Sequence, residues 1–401
     1  MFKKEFQKSF NNKMVYLDSG ATSMKLDLVV ESEIEFLTKF NTNTHNEVSE
    51  SSSKINELIE NLRVKVKEFL NTKEGNVAFV SGTTYASNQL AFGLIEEINA
   101  KHEVVVTAVE HSSNLLPWIE ISNKTGAKLN YFDLNNDGTI DIKSINKVVN
   151  KNTKIVSFAH ISNTLGYEND VKKIVEEIKK INENTLIFID CAQSISHEKI
   201  NVFEWGVDAI TFSTHKMYGP FGLGILWAKD TILNRLKPLV LGGGNIVSVE
   251  RNSFQLSDGP HKLEAGTMNL SSIYAFDKLL DWYQKTDINN IKSYELKLKK
   301  YFVSEFNKLN DDEIIIYNLD NNQSSILFNI KGVSSQDFAI FLEKKYQIIT
   351  RAGQHCAQLT KELTNSKTTV RATLSIVNTK ADIDKLIEAF KDKDKWSEYI
   401  I

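Results

Sequence analysis

Residues 154–193 read KIVSFAHISNTLGYENDVKKIVEEIKKINENTLIFIDCAQ. The two ends, KIVSFAHIS (154–162) and LIFIDCA (186–192), are apolar runs of strand length. Between them VKKIVEEIKKINE (171–183) places its apolar residues at helical spacing. Strand, amphipathic helix and strand in succession form the unit of a parallel sheet. The same alternation extends outward in both directions. NVAFVSG (76–82) leads into a helical pattern, TTYASNQLAFGLIEEI, and further strands are expected in EVVVTAVEH (103–111), KLNYFDL (128–134) and AITFSTHK (209–216). The expectation is an α/β protein whose mostly parallel sheet is covered on both faces. Ligands then sit beyond the carboxyl ends of the strands, and the polar residues directly after each strand are the candidates.

Past residue 275 the pattern changes. A long charged helix (275–309) precedes a strand, SSILFNI (324–330), a helix near 335–345 and a last helix from about 380. This predicts a large domain over 15–274 and a smaller α+β domain over 275–401, with segment 1–14 packed on the latter. Repeats, low-complexity tracts and flexible linkers are lacking, so the two are expected to pack together.

The chain has 401 residues, 41% of them hydrophobic, with 48 basic and 51 acidic side chains and a formal charge of −3. That balance gives no electrostatic reason to expect nucleic acid or a membrane surface as partner. Lysine-rich stretches such as Lys297 to Lys300 read as solvated helix faces. No apolar window is long enough for a membrane span. The N-terminal MFKKEFQKSFNNK resembles neither a secretory signal nor a transit peptide. The two cysteines, Cys191 and Cys356, cannot form a disulfide framework in a chain of this size, which points to a reducing, cytoplasmic setting.

One motif is a false lead. DLNNDGTIDIKS (133–144) follows much of a calcium-loop pattern, but Ser144 stands where a bidentate glutamate is required, and the flanks are not helical. A tight polar turn is expected there.

Five elements carry chemistry. Ser213-Thr-His215-Lys216 ends a strand, and a lysine partly desolvated there suits Schiff-base formation. Asp190 ends an apolar strand, where a carboxylate requires a cationic partner such as a protonated ring nitrogen; as a plain helix N-cap it would need no partner. Gln193 lies three residues on. Ser81-Gly82-Thr83-Thr84 is a glycine turn feeding a helix, suited to an anion or to simple capping. His111 follows a strand, where it can stack on a flat ring or serve structurally. In Arg351-Ala-Gly-Gln-His355-Cys356, the cysteine beside a histidine and near an arginine is placed for nucleophilic chemistry; the alternative is a small buried hydrophobe. No second cysteine or histidine lies at zinc-ligand spacing, so no metal is expected. Cys191 reads as buried.

In this order the motifs resemble the class V aminotransferase family, and within it the group II (Suf-type) cysteine desulfurases. The resemblance runs from YLDSGAT (16–22) through SGTT (81–84), VEHSSNLLPW (109–118), HISNTLG (160–166), DCAQS (190–194), FSTHKMYGPFGLGIL (212–226), LEAGTMN (263–269) and RAGQHCA (351–357) to VRATLSIVNT (370–379). It implies the fold type I architecture of pyridoxal-5'-phosphate (PLP) dependent transferases, with a mostly parallel seven-stranded sheet, and a homodimer with active sites at the subunit interface. It implies that Lys216 binds the cofactor covalently, that Asp190 pairs with its ring nitrogen, that Gln193 meets its phenolic oxygen and that His111 stacks on its ring and takes part in catalysis. Thr83, Thr84, Ser213 and His215 would hold the phosphate, joined by Gly266 and Thr267 from the other subunit. Arg371 would clamp the carboxylate of L-cysteine, with Asn163, Arg351 and His45 nearby, and a bidentate guanidinium suits that role. Cys356 would take the sulfur as a persulfide, leaving L-alanine, and a Suf-type acceptor protein would remove it toward iron–sulfur cluster assembly or other sulfur trafficking.

Departures from the pattern are Cys191 where glycine is common, Thr44-His45-Asn46-Glu47 without the following Arg-Gly, and no proline after Cys356-Ala357. The nearest rival is a selenocysteine lyase using the same lysine and cysteine, which also stands as a side activity. An aminotransferase would have no use for Cys356, and a PLP-binding scaffold without turnover would not need the full residue set.

Overall fold

In the strands of the central sheet neighbouring residues face opposite ways, and both faces are apolar. Val77, Phe79, Val105, Ile187 and Ile189 enter one core, whereas Ala78, Val80, Val104, Val106 and Phe188 enter another. Such a sheet must be covered on both sides. The structure, a computed structural model, describes residues 2–8, 14–44, 46 and 48–400, and it has this layered form.

The sheet strands are β1 (Asn76–Val80), β2 (Glu103–Val106), β3 (Lys128–Tyr131), β4 (Thr153–Ala159), β5 (Leu186–Asp190), β6 (Ala209–Ser213) and β7 (Gly224–Ala228). Their order is β1-β7-β6-β5-β4-β2-β3. Only the pairings made by β7 are antiparallel. Because β7 lies antiparallel to both β1 and β6, those two run in the same direction. The carboxyl ends of six strands therefore lie along one edge. The covering helices are α1 (Asp27–Glu35), α2 (Glu50–Phe69), α3 (Thr83–Gly93), α4 (Ser112–Thr125), α5 (Val171–Ile181) and α6 (Leu270–Thr286).

A second, four-stranded antiparallel sheet is made of β8 (Ile314–Ile316), β9 (Ser325–Ile330), β10 (Arg351–Gly353) and β11 (Thr369–Thr373), ordered β8-β9-β11-β10. Helices α7 (Ile288–Asn307), α8 (Ser335–Tyr346) and α9 (Lys380–Lys391) supply it with its own core, in which Phe302, Phe328, Phe338, Phe341 and Phe390 are buried. The expected single helix over 275–309 is two helices. Asp287 breaks it with φ of 61°, and its carboxylate starts α7 by accepting the Asn289 N–H at 3.0 Å. Helix α6 packs into the core of the large sheet, and α7 contributes Ile291 to that core and Phe302 to the other. Residues 133–141 form the expected tight turn, closed by a bridge between Leu134 and Ile140, with Gly138 at φ of 90°. Among the described residues, no helix is long and apolar enough to cross a membrane.

Of segment 1–14, residues 2–8 and 14 are described. Phe2 and Phe6 are buried and lie edge-on to Tyr294 and Tyr218. Val15 and Tyr16 add a short parallel strand to Ile348 and Ile349, and Asp18 bridges Thr373 of β11. The next turn, Ser19 to Ala21, thereby reaches the edge where the six strands end.

Candidate active site

A cavity of about 190 Å³ lies at that edge, between the two sheets. Its lining includes Thr83, Thr84, His111, Asn163, Asp190, Gln193, Ser213, His215, Lys216, Arg351, Cys356 and Arg371. These are the residues read from the sequence, with three exceptions. His45 lies outside the described residues. Gly266 and Thr267 lie elsewhere on the chain, where Gly266 N–H donates to the Gly243 carbonyl and Thr267 Oγ1 accepts from Asn43. Gly20, Ala21, Ser113, Ala192 and His355 also line the cavity, without having been read from the sequence as site residues. Gly20 and Ala21 belong to YLDSGAT, the one signal that could have marked them.

The sites for an anion and for a flat ring follow from the strand ends. Gly82 precedes α3 and offers no capping side chain, so the helix start is left to other groups. Ser213 Oγ accepts the Thr83 N–H at 2.8 Å and lies 2.8 Å from Thr83 Oγ1. Glu110 ties β2, β4 and α4 together, accepting from Thr107 Oγ1 (2.6 Å), Ala159 N–H (3.0 Å) and Asn114 Nδ2 (2.7 Å). Burial, only partly offset by these donors, pushes its carboxyl up to about 7. The next residue, His111, caps α4. Its Nδ1 accepts the Ser113 N–H at 3.1 Å, which leaves the ring proton on Nε2. Burial and the nearby Lys216 charge lower its pKa to about 4, so the ring is neutral at physiological pH.

Lys216 and Asp190 face each other electrostatically. Burial pulls the lysine amine down to about 8, with Asp190 opposing and Arg371 and Arg351 adding to the shift. Burial raises Asp190, opposed by Lys216 and by the Ala192 N–H that donates to Oδ1 at 2.8 Å. Each group is thus pushed toward its neutral form. The carbonyl just before Lys216 is held firmly: His215 O accepts from Ser23 N–H, Ser23 Oγ, Lys25 Nζ and Thr22 Oγ1 at 2.9 to 3.2 Å. Gln193 Nε2 donates to Gly20 O at 2.9 Å, leaving its second amide hydrogen for another acceptor.

Arg371 reaches the cavity from β11, directly opposite Arg351 in register. It is buried, donates from Nη1 to Asn163 O at 2.6 Å, and pairs with Asp18 at 3.4 Å. A Cβ on Gly20 would lie 2.7 Å from Thr373 Oγ1 and 3.1 Å from the guanidinium carbon, so a larger residue there would crowd both side chains. Cys356 is exposed and lies within electrostatic range of Lys216 and Arg371. His355, the neighbour of Cys356, is poorly suited to act as its base. Burial lowers His355 to about 3, and its Nε2 donates to Thr369 O at 3.1 Å. Cys191, by contrast, is buried within the sheet core, and burial raises its thiol well above the usual range.

His355 and Cys356 are consecutive residues in the left-handed region, at φ of 51° and 55°. Each such non-glycine residue costs about 1–2 kcal/mol, so the turn persists only because other groups hold it. Asn163 Nδ2 donates to His355 O at 2.7 Å, and Ser112 donates to Cys356 O from both N–H (2.7 Å) and Oγ (2.8 Å).

A family model described as aminotransferase class-V matches residues 15–386. A probable cysteine desulfurase of Ureaplasma parvum is 35% identical over 389 residues, covering 97% of this chain and 96% of that protein. A cysteine desulfurase of Wigglesworthia glossinidia brevipalpis is 33% identical, covering 97% of this chain and 95% of that protein. The crystal structure of the cysteine desulfurase CsdA (S-sulfonic acid) from Escherichia coli superposes with a TM-score of 0.89 at 28% identity, covering 100% of this chain and 98% of the other.

Proposed function

The chain belongs to the aminotransferase class-V family, and from that membership we infer that it is a PLP-dependent cysteine desulfurase, converting L-cysteine to L-alanine and taking the sulfur on Cys356. The observation that carries this reading is the meeting of Lys216, Arg371 and Cys356 in one cavity. Transamination would employ the first two but not an exposed thiol.

The residues present fit the cofactor. The start of α3 and the hydroxyls of Thr83, Thr84 and Ser213, with His215, suit a phosphate. A protonated ring nitrogen would offset the burial of Asp190, while Gln193 offers a hydrogen to the phenolic oxygen and His111 a neutral ring to stack. Bound PLP supplies an electron sink for charge developing at the substrate α-carbon.

The other tasks fall to the chain. Arg371 binds the substrate carboxylate, oriented by Asn163 and Asp18, with Arg351 at the rim. The Lys216 amine, brought near neutral pH by burial, takes the proton from the substrate α-carbon. His111 presents its Nε2 proton. Cys356 Sγ attacks the substrate sulfur: the substrate Cβ–S bond breaks, an S–S bond forms, and L-alanine and a Cys356 persulfide result. Reduction of that carbon balances oxidation of the sulfurs, so no external oxidant enters.

The protein acts as a homodimer. Val247, Val249 and Phe254 expose apolar surface on a hairpin (Ile246–Val249 and Phe254–Leu256), and Gly266 and Thr267 would complete the partner's phosphate site. A Suf-type acceptor protein receives the sulfur for iron–sulfur cluster assembly or other sulfur trafficking in the cytoplasm, a setting consistent with two unpaired cysteines. Selenocysteine is a side substrate. The chain works as a large cofactor-binding domain and a small domain, in keeping with its two sheets, with the boundary at the α6–α7 break and not at 274/275, because α6 packs into the large core.

The test is alanine and sulfide release from L-cysteine by wild type and Cys356→Ala. Wild type should be active and the variant inactive, both with the visible absorption of bound PLP. Equal activity would overturn the reading.

A further inference from the structure

The turn that presents Cys356 is strained and half exposed, yet the nucleophile must meet the sulfur of a substrate whose carboxylate Arg371 holds in the same cavity. A misplacement of about 1 Å in such a group can cost about a hundredfold in rate. What fixes the turn is therefore part of the chemistry. Asn163 holds the carbonyl before the cysteine. The cysteine's own carbonyl is held by one residue, Ser112, through two hydrogen bonds of 2.7 and 2.8 Å. Ser112 Oγ also lies 3.1 Å from Gln358 Oε1, on the other side of the turn.

Ser112 is the first residue of α4, and its neighbour His111, the N-cap, lines the cofactor cavity. We propose that Ser112 is a positioning residue that holds the Cys356 turn to the start of α4, so that the sulfur nucleophile and the ring-stacking histidine move as one unit. This rests on the desulfurase reading and adds to it a residue that touches neither substrate nor cofactor. The N–H at the first helical position has no intrahelical acceptor; here it serves the turn. Its hydroxyl adds the second bond.

The same geometry provides a clean variant. Proline is favoured at the first position of a helix, where its missing N–H breaks no intrahelical bond. It also requires an extended preceding residue, and His111 already has φ of −62° and ψ of 144°. Ser112→Pro therefore keeps α4 while removing both donors. The Ser112 nitrogen lies 2.7 Å from the Cys356 carbonyl oxygen, and a proline ring carbon in place of its hydrogen would be closer still, so the turn must shift. Ser112→Ala removes the hydroxyl alone, and Ser112→Thr keeps both donors.

The experiment measures kcat and KM for L-cysteine together with the visible band of bound PLP and its change on substrate addition. A positioning role requires that Ser112→Pro keep the band, its substrate response and KM while kcat falls. One lost hydrogen bond corresponds to a factor of about 2–10 in rate, so Ser112→Ala should lose about that factor, Ser112→Pro more, and Ser112→Thr should match wild type. Unchanged kcat in Ser112→Pro overturns the proposal. So does a Thr variant as slow as Pro, or a kcat loss accompanied by an equal loss of PLP or substrate binding. If wild type itself releases no alanine from L-cysteine, the desulfurase reading falls and the proposal falls with it.

Discussion

Lys216 shows how burial adapts an ordinary side chain to its task. Desolvation works against the charged amine, Asp190 only partly restores it, and the pKa falls from 10.5 to about 8. Condensation with an aldehyde requires the neutral amine. PLP uptake by the apoprotein should therefore speed up as pH rises through about 8, followed by stopped-flow absorbance; a midpoint near the ordinary lysine value would contradict the electrostatics. The linkage has the same origin. Between about 8 and 10.5 the unfolded chain holds the lysine proton that the folded chain has lost, so this group's contribution to apoprotein stability rises with pH across that window. Lys216, Asp190 and Cys356 could be read from the sequence because each is a chemically distinctive residue at or beside a strand end, whereas Arg371, in the middle of β11, was reached only through the family resemblance. The orientation of His355 could not. Thr369, on a strand brought alongside by sheet pairing, takes its ring proton, and Arg371 and Lys216 rather than that imidazole face the thiol. Asp18 and Gly20 were hidden for the same reason: they shape the Arg371 site from the opposite end of the chain.

At the level of elements, the cavity depends on how closely α3 approaches β7. A Cβ on Gly224 would lie 2.3 Å from Gly82 Cα, backbone that cannot move without dragging the helix start and its phosphate-facing hydroxyls. Gly224→Ala should cost about 1–3 kcal/mol in stability, read by chemical denaturation, and should weaken PLP binding in equilibrium titration. A variant as stable as wild type with unchanged affinity would show that the close approach is dispensable. The strands and most helices were legible because apolar periodicity is a local signal. The break between α6 and α7 was not, since charged residues run continuously through it. It depends on one aspartate adopting φ of 61° and capping the next helix.

Over the whole molecule, the layered sheet positions six strand ends, and the smaller sheet brings Arg351, Arg371 and Cys356 across to face them. The proposed dimer would complete this arrangement. Phe254→Asp places a charge on the exposed apolar hairpin and should shift the protein toward monomer by light scattering, with looser PLP binding through loss of Gly266 and Thr267 from the partner. A variant that stays dimeric, or a monomer that binds PLP as tightly as wild type, would contradict that role. The central claim is that sulfur leaves L-cysteine for Cys356, and mass spectrometry of the PLP-loaded protein after mixing with one equivalent of L-cysteine tests it most directly. The expected result is one added sulfur atom on the peptide carrying Cys356, removable by a reducing thiol, with none on Cys191 and none anywhere in Cys356→Ala. Alanine formed without sulfur on Cys356, or sulfur carried on another residue, would contradict the account.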